Sequence, residues 1–338
     1  MSTTFRLFDV TDVVFDEILI QLELNEIFNL SLCSLKTLNI IRRHMRKSIK
    51  YPLFVDTKDN YEMSFGFIRN GEGVIMMSVR EYRMYDGRQF EKVNLGGKKT
   101  QISRYDDHIA FFGSSRDETM DGFILVMDQI AHLFREGITT LYCDSPWSMR
   151  FLPLQNGYIP MTYAGSEKCQ KEFKLVDYEM ILAHKTRGLH LRSPLPEGYD
   201  FTLTREYLYF RVERAPNARL NDVLKLAKGS KQVIFDQSRL ISKDLNTFFN
   251  LWLKKRIDGL QLLSIRMKSY REITSFKRIN NKISDSTMWL SYLSYTGKTY
   301  RLSPGKCLQR DDGVTAYFYY NPNTKILNFG DPFSGYMD

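Results

Sequence analysis

Cysteine is scarce in this chain: it occurs four times among 338 residues, and no two cysteines form a Cys-x-x-Cys pair. The four lie far apart, at Cys33, Cys143, Cys169 and Cys307. This spacing is typical of buried free thiols in a reducing compartment. The chain has no apolar run near the roughly 20 residues that a membrane-spanning helix needs, and its start lacks the basic and apolar regions of a secretion signal. We therefore expect a cytosolic or nuclear protein without a membrane partner.

Motifs that carry catalysis are missing as well. The histidines are scattered, none stands in a His-Glu-x-x-His frame, and there is no glycine-rich phosphate-binding loop. Cys143 has no nucleophile motif around it, and a solvated turn is the better interpretation of Asp311 and Asp312. We therefore predict no catalytic residue, no cofactor and no metal. An undetected enzyme would need a deep pocket that gathers charged residues from distant parts of the chain.

The formal net charge of +9 raises the question of nucleic-acid binding. The basic clusters lie at 42–47 and 254–256, at the ends of predicted helices, where cations complement the helix dipole. Neither zinc-finger spacing nor an RNA-binding aromatic signature accompanies them. Nucleic acid is thus an unlikely partner and stands only as a second alternative.

The first 45 residues predict two or three short helices. Thr11 or Asp12 can cap the first helix, and Val14, Ile18 and Leu22 follow at four-residue intervals on one face. Further apolar positions, Val13, Ile20, Phe28 and Leu32, fall partly off the helical stripes. We expect this surplus of apolar side chains to contact a partner protein. The alternative is that it packs on the rest of the chain.

The same segment resembles an F-box. Val10-Thr11-x-x-Val14-x-x-x-Ile18-Leu19-x-x-Leu22 and the block from Phe28 to Ser34 follow the family pattern. The resemblance implies docking on the Skp-type adaptor of a ubiquitin ligase, and through it on a cullin. The implied adaptor-binding residues are Val10, Val14, Ile18, Leu19, Leu22, Ile27, Leu30, Leu32 and Leu35.

Two positions depart from the F-box pattern. Thr11 replaces the usual proline, and Leu35 replaces the usual lysine or arginine. Threonine can still cap a helix, so the departures bear on adaptor affinity more than on the fold. They leave open an alternative in which a diverged F-box serves as a protein-binding module outside any ligase.

Beyond this module the patterns become mixed. Residues 53–120 predict a small antiparallel β region, with Asn70-Gly71 as a hairpin turn. A helix is expected from Gly122 to Arg135 and a strand from Ile138 to Cys143. The domain boundaries that we predict are 5–52, 53–120, 121–285 and 286–338. The last segment is expected to form β hairpins.

Strand and helix patterns alternate between Tyr207 and Met267, with strand centres near Phe210, Ile234 and Leu263. This spacing favours an irregular leucine-rich-like repeat with parallel strands, and Ser242 is the expected cap of its second helix. Residues 200–270 are also similar to the F-box associated domain of the nematode-type F-box families. The overall fold class is therefore α+β with an α/β repeat.

Together the two resemblances imply a non-catalytic receptor of a Skp-cullin-F-box ubiquitin ligase. Its F-box would hold the adaptor, while the C-terminal body binds an unidentified protein substrate for ubiquitination. Such a receptor acts by proximity and supplies no acid or base. The expected target contacts are the exposed strand ends Arg211, Glu213, Asp236 and Arg266.

Overall fold

The chain forms two compact units, Met1–Ile159 and Pro160–Asp338, in a computed structural model. The residues that this structure describes are 7–45, 51–57, 62–81, 89–105, 108–135, 137–144, 159–165, 173–196, 199, 201, 203, 205–271, 276 and 279–331. Each unit combines helices with a sheet, so the expected mixed α+β class is confirmed. The division between the units falls within the predicted segment 121–285, and the four predicted boundaries stay predictions.

The first unit begins with three helices, as the periodicity predicts: α1 (Asp12–Gln21), α2 (Leu24–Ser31) and α3 (Leu35–His44). Ser34 caps α3, since its hydroxyl accepts the Thr37 N–H at 3.0 Å. Thr11 occupies the N-cap position of α1, but its side chain makes no capping hydrogen bond. The start of α1 is therefore set by the backbone and by packing rather than by a threonine cap.

The sheet of the first unit contains seven strands among the described residues. They are β1 (Leu53–Thr57), β2 (Met63–Arg69), β3 (Glu72–Glu81), β4 (Phe90–Leu95), β5 (Lys98–Arg104), β6 (Ile109–Gly113) and β7 (Ile138–Cys143), in the order β7-β1-β2-β3-β6-β5-β4. The β2–β3 hairpin turns at Asn70-Gly71 as predicted. The β3–β6 pair is parallel, so the antiparallel prediction for 53–120 is wrong for it. Strand β1 also pairs in parallel with β7, which lies outside that segment. Turn dipeptides indicate only local hairpins, whereas parallel pairs need longer connections.

Helix α4 (Arg116–Phe134) packs on this sheet. It starts six residues before the predicted Gly122, because Ser115 caps it by accepting the Glu118 N–H at 3.2 Å. The predicted apolar face is confirmed, since Phe123, Val126, Ile130 and Phe134 are all buried. Strand β7 follows where expected.

The second unit contains three helices and eleven strands among its described residues. The helices are α5 (Leu175–Ala183), α6 (Leu220–Lys228) and α7 (Ser242–Leu253). The strands of its main sheet are β8 (Ile159–Ala164), β9 (Thr186–Leu191), β10 (Tyr207–Val212), β11 (Ser230–Phe235), β12 (Leu262–Arg266), β13 (Ile283–Ser286), β16 (Gly305–Gln309), β17 (Thr315–Asn321) and β18 (Ile326–Gly330). A separate hairpin consists of β14 (Ser291–Leu293) and β15 (Thr299–Arg301).

Strands β9 to β12 run parallel, in the order β9-β10-β11-β12, and β18, β17, β16 and β13 continue the sheet antiparallel. The strands and helices that we expected between Tyr207 and Met267 are therefore confirmed. Ser242 is the first helical residue of α7 rather than its cap. Asp244 supplies the cap instead, because its carboxylate accepts the Ile241 N–H at 2.9 Å.

The two faces of this sheet are covered by different elements. Because successive residues of a strand point to opposite faces, Leu262 and Leu263 lie on opposite sides. Leu262 belongs to a buried cluster with Tyr292 and Tyr300 of the β14–β15 hairpin. Leu263 pairs with Phe329, whose ring contacts three aromatic rings of α7, with that of Trp252 at 5.3 Å. The hairpin and α7 thus pack on opposite faces.

The thiols differ from one another in exposure. Cys143 is buried in β7, as expected. Cys33 is exposed and Cys307 is partly exposed, so the expectation of buried thiols is wrong for both. Cys33 lies in the turn between α2 and α3, and such connections run over the surface. Cys169 lies outside the described residues.

No helix within the described part of the chain is long and apolar enough to cross a membrane.

Candidate functional site

The nine residues implied as an adaptor-binding set differ in burial. Leu19, Ile27 and Leu32 are buried, Val14 and Leu35 are exposed, and four are partly exposed, namely Val10, Ile18, Leu22 and Leu30. The three buried side chains belong to the core of the first unit. A partner that leaves this core intact can therefore reach only the other six.

The inner sides of these helices are covered by the rest of the same unit. The Gln129 side-chain amide of α4 donates to the Ser31 hydroxyl at 3.0 Å, and the Asn94 N–H donates to the Leu32 carbonyl at 2.9 Å. Phe28 and Leu32 are almost fully buried. The expectation that a partner protein covers the surplus is therefore wrong for these two side chains, and for them the alternative of packing on the same chain holds.

The outer side of α1 keeps the apolar surplus that the sequence indicates. Val13 is 73% exposed and Ile20 is 69% exposed, and they lie seven residues apart, on the same face of the helix. Phe8 and Val14 are also exposed. We call Val13, Val14 and Ile20 the outer face of α1. Val13 and Ile20 were absent from the implied adaptor-binding set, although their positions beside the main stripe could have identified them.

The basic end of α3 is engaged within the unit. His44 Nδ1 lies 2.7 Å from Asp16 Oδ1, and the imidazole ring meets the ring of Phe15 edge-on at 4.9 Å. Arg42 and Arg43 occupy the last turn of α3, where the negative helix end favours cations. The other basic cluster follows α7, and there Lys255 pairs with Asp312 at 2.7 Å. Asp312 also pairs with Arg310, and Asp311 pairs with Lys282. Both aspartates lie in an exposed turn, as predicted, with their charges engaged by cations of the same chain.

The predicted target contacts lie at the carboxyl ends of the parallel strands. Arg211 and Asp236 form an ion pair at 2.7 Å, with side chains about one quarter exposed. Glu213 accepts a hydrogen bond from the buried His190 at 3.1 Å. Arg266 is exposed. The structure therefore brings three of the four into neighbouring pairs, in which their charges are engaged within the chain.

His190 was missed by sequence reasoning, since nothing in the patterns predicted β8 or β9. Burial, followed by the nearby guanidinium groups of Arg211 and Arg192, lowers the pKa of His190 to about 3, although a carboxylate faces it. The imidazole is thus neutral at physiological pH and donates its Nε2–H to the ionised Glu213. Tyr163 packs its ring 5.5 Å from this imidazole. The cluster favours a fixed, charge-paired surface over a reactive acid or base.

A crevice of about 820 Å³ opens beside the ends of β9 and β10. Prolines, Tyr199 and the exposed Arg219 and Arg239 line it. Asp222 is the one carboxylate among its described lining residues, and it accepts the Arg219 N–H at 2.8 Å. No group of three or more His, Cys, Asp and Glu side chains that could bind a metal occurs in the described ranges. The described lining of the crevice therefore offers polar and aromatic contacts and holds no evident catalytic pair.

Comparison with protein-family models, with curated proteins and with solved structures found no match to this chain.

Proposed function

We propose that this protein is a non-catalytic substrate receptor of a Skp-cullin-F-box ubiquitin ligase. Its N-terminal helices would dock on a Skp-type adaptor, and its second unit would bind a protein target for ubiquitination. The role would be exercised in the cytosol or the nucleus. The mechanism is proximity: a receptor that binds adaptor and target together raises the effective concentration of the target lysine at the ubiquitin thioester.

The observation that carries the proposal is the outer face of α1. Large aliphatic side chains with more than half of their surface exposed favour a partner when several share one helix face. Val13 and Ile20 have that exposure, and Val14, a residue of the F-box-like pattern, adjoins them. Leu35 is 48% exposed in the first turn of α3, so the departure from the usual basic residue adds apolar surface. The F-box resemblance names the adaptor as the partner.

The second unit supports the target-binding half of the proposal by its architecture. We propose that β9 to β12 with α6 and α7 form the irregular strand-helix repeat of an F-box associated domain. Parallel repeats of this kind present strand ends and connecting loops on one edge, where partners bind. Arg266 is the one predicted target contact for which the described residues provide no ion pair.

The test is a binding titration between the purified full chain and a purified Skp-type adaptor. The informative variant is Val13→Asp combined with Ile20→Asp, because both side chains are exposed and a charge there leaves the core intact. Leu19→Asp is unsuitable, since Leu19 is buried and the variant would fail to fold. The matched control is Val176→Asp, which replaces a valine that is 50% exposed at the second position of α5.

We expect the wild type and Val176→Asp to bind the adaptor alike and the double variant to lose at least about tenfold in affinity. A folded wild-type chain that does not bind would contradict the proposal and favour a binding module outside the ligase. Binding to generic DNA or RNA that falls steeply with salt would favour the nucleic-acid alternative.

A further inference from the structure

The β14–β15 hairpin has two unlike faces. Its register pairs Tyr292 with Tyr300 and Leu293 with Thr299. The two tyrosines are buried against the main sheet in one cluster. Because side chains alternate along a strand, Leu293 and Arg301 lie on the opposite, outward face.

This outward side carries a dense group of exposed apolar side chains. Trp289 is 75% exposed, and Met288 and Leu293 are each 56% exposed. They fall within six consecutive residues, and together they are three of the thirteen large apolar side chains that are exposed in the described ranges. Exposed tryptophan is rare enough on a protein surface that such a group marks a contact site.

Arg301 links this group to the main sheet. Its guanidinium carbon lies 4.1 Å from the centre of the Trp289 ring and 4.6 Å from the centre of the Tyr319 ring. Such contacts orient a guanidinium without neutralising it. Arg301 has no carboxylate partner among the described residues, and its Nε donates only to the Ser303 carbonyl at 3.3 Å. We call Met288, Trp289, Leu293, Arg301 and Tyr319 the hairpin surface.

The charge of the surrounding segment has one sign. Residues 286–310 contain Lys298, Arg301, Lys306 and Arg310 and no aspartate or glutamate. Lys306 is paired with Asp285, and Arg310 is paired with Asp258 and Asp312. Lys298 lies over the Tyr300 ring, 5.3 Å from its centre. Arg301 is thus a cation within a surface of large apolar groups, and no described carboxylate compensates its charge. Lys298 lies on the Tyr300 side of the hairpin and does not belong to this surface.

We infer that the hairpin surface binds a short segment of the protein target that combines an acidic residue with aromatic or aliphatic ones. A carboxylate complements Arg301, and the apolar residues of the segment would cover Met288, Trp289 and Leu293. The aliphatic members favour a peptide over nucleic acid, since bases stack on aromatic rings rather than on methionine and leucine. The inference rests on the proposed function, because it assigns the target-binding half of the receptor.

The probe is a displayed library of short random peptides, selected on the full-length chain without adaptor. An enriched peptide is then titrated against the wild type, Trp289→Ala and Arg301→Glu. The matched controls are Ile241→Ala and Lys243→Glu, which remove an exposed apolar group and reverse a charge at the start of α7, on the other face of the sheet. Arg301→Lys keeps the charge with less stacking and serves as a second variant if Arg301→Glu does not fold.

We expect the enriched peptides to contain aspartate or glutamate next to aromatic or aliphatic residues. Their affinity should fall at least about tenfold in both hairpin variants and stay unchanged in both controls. The inference is overturned if selection enriches nothing or enriches basic peptides, or if hairpin and control variants bind alike. Preference for an RNA oligonucleotide, or a dimer of the chain that Arg301→Glu dissociates, would overturn it as well. Since no adaptor is present, failure here together with adaptor binding removes only this surface and leaves the proposed docking intact.

Discussion

The side-chain amide of Gln129 in α4 donates a hydrogen bond to the hydroxyl of Ser31 in α2 over 3.0 Å, and both side chains are almost fully buried. The Gln129 carbonyl oxygen also accepts the Gly96 N–H at 2.9 Å. One side chain thus joins the N-terminal helices, the long helix and the turn between β4 and β5. The F-box-like segment is therefore part of the core of the first unit.

This relationship makes Gln129→Leu destabilising. The variant keeps the side-chain volume but leaves the Ser31 hydroxyl and the Gly96 N–H without their partners. We expect the free energy of unfolding to fall by about 1–3 kcal/mol, measured as a shift of the urea midpoint at constant slope. Asp128→Asn, at the exposed neighbouring position, should change it by less than about 0.5 kcal/mol. Equal midpoints for Gln129→Leu and wild type would show that the buried network contributes nothing.

The same contacts predict how fragments of the chain behave. A fragment of residues 1–52 lacks α4 and the sheet, so Phe28, Leu32 and Ser31 lose the elements that cover or bond them. We expect no cooperative unfolding transition by circular dichroism for 1–52 and a clear one for Met1–Ile159. A cooperative transition in the short fragment would mean that the three helices form an independent domain.

Local patterns predicted the elements but not their partners. The helical stripes gave α1 to α3 and α7, and alternation with turn residues gave β2, β3 and β10 to β12. The parallel pairing of β3 with β6 was not predicted, because the β4–β5 hairpin lies between them in sequence and no local pattern indicates the pairing. The burial of Phe28 is likewise set by α4 and the sheet, which pack on α2 and lie far away in sequence. Helix α5 and strand β9 were not predicted, because their sequences show no strong helical or strand periodicity.

The pairing of the predicted target contacts follows the same logic. Arg211 and Asp236 face each other because β10 and β11 run parallel with Arg211 opposite Ile234, so that Asp236 extends just beyond. A double-mutant cycle with Arg211→Ala and Asp236→Ala should give a coupling energy of roughly 1 kcal/mol in thermal or urea unfolding. The more exposed Lys306–Asp285 pair is the control and should give less than about 0.5 kcal/mol. A coupling energy near zero would show that Arg211 and Asp236 act as independent surface charges in the folded chain.

Gly66 marks a position where the sheet admits no side chain. A Cβ there would meet the Val74 carbonyl oxygen and the Phe54 ring, at a register shift between β2 and β3. Gly66→Ala should therefore lower the free energy of unfolding by about 1–3 kcal/mol. Gly259 has open space and an ordinary φ, so Gly259→Ala should be neutral or stabilising by up to about 1 kcal/mol. Equal effects of the two substitutions on the unfolding midpoint would contradict the close packing at the bulge.

His184 gives the second unit a dependence of its stability on pH. The side chain is buried after α5, and its Nε2 has no hydrogen-bond partner among the described residues. Burial, and secondarily the Arg205 guanidinium, lowers the pKa of His184 from 6.5 to about 4. Between pH 6.5 and about 4, His184 binds a proton more readily in the unfolded chain than in the folded one. Lowering the pH through this range therefore favours unfolding. The contribution of the neutral, buried His184 to the free energy of unfolding is fully present above pH 6.5. It is lost as the pH falls toward 4, by roughly 3 kcal/mol in total.

Two measurements check this pH dependence. The NMR titration of the His184 ring proton should have its midpoint near pH 4, as the lowered pKa requires. His184→Leu removes the titrating group while it keeps the site apolar, so its free energy of unfolding should fall less steeply between pH 6.5 and 4 than that of the wild type. The slope that persists in the variant belongs to other groups, among them His190, whose pKa is lowered to about 3. Parallel slopes for variant and wild type, with a ring-proton midpoint near 6.5, would show that water reaches this imidazole in the folded chain.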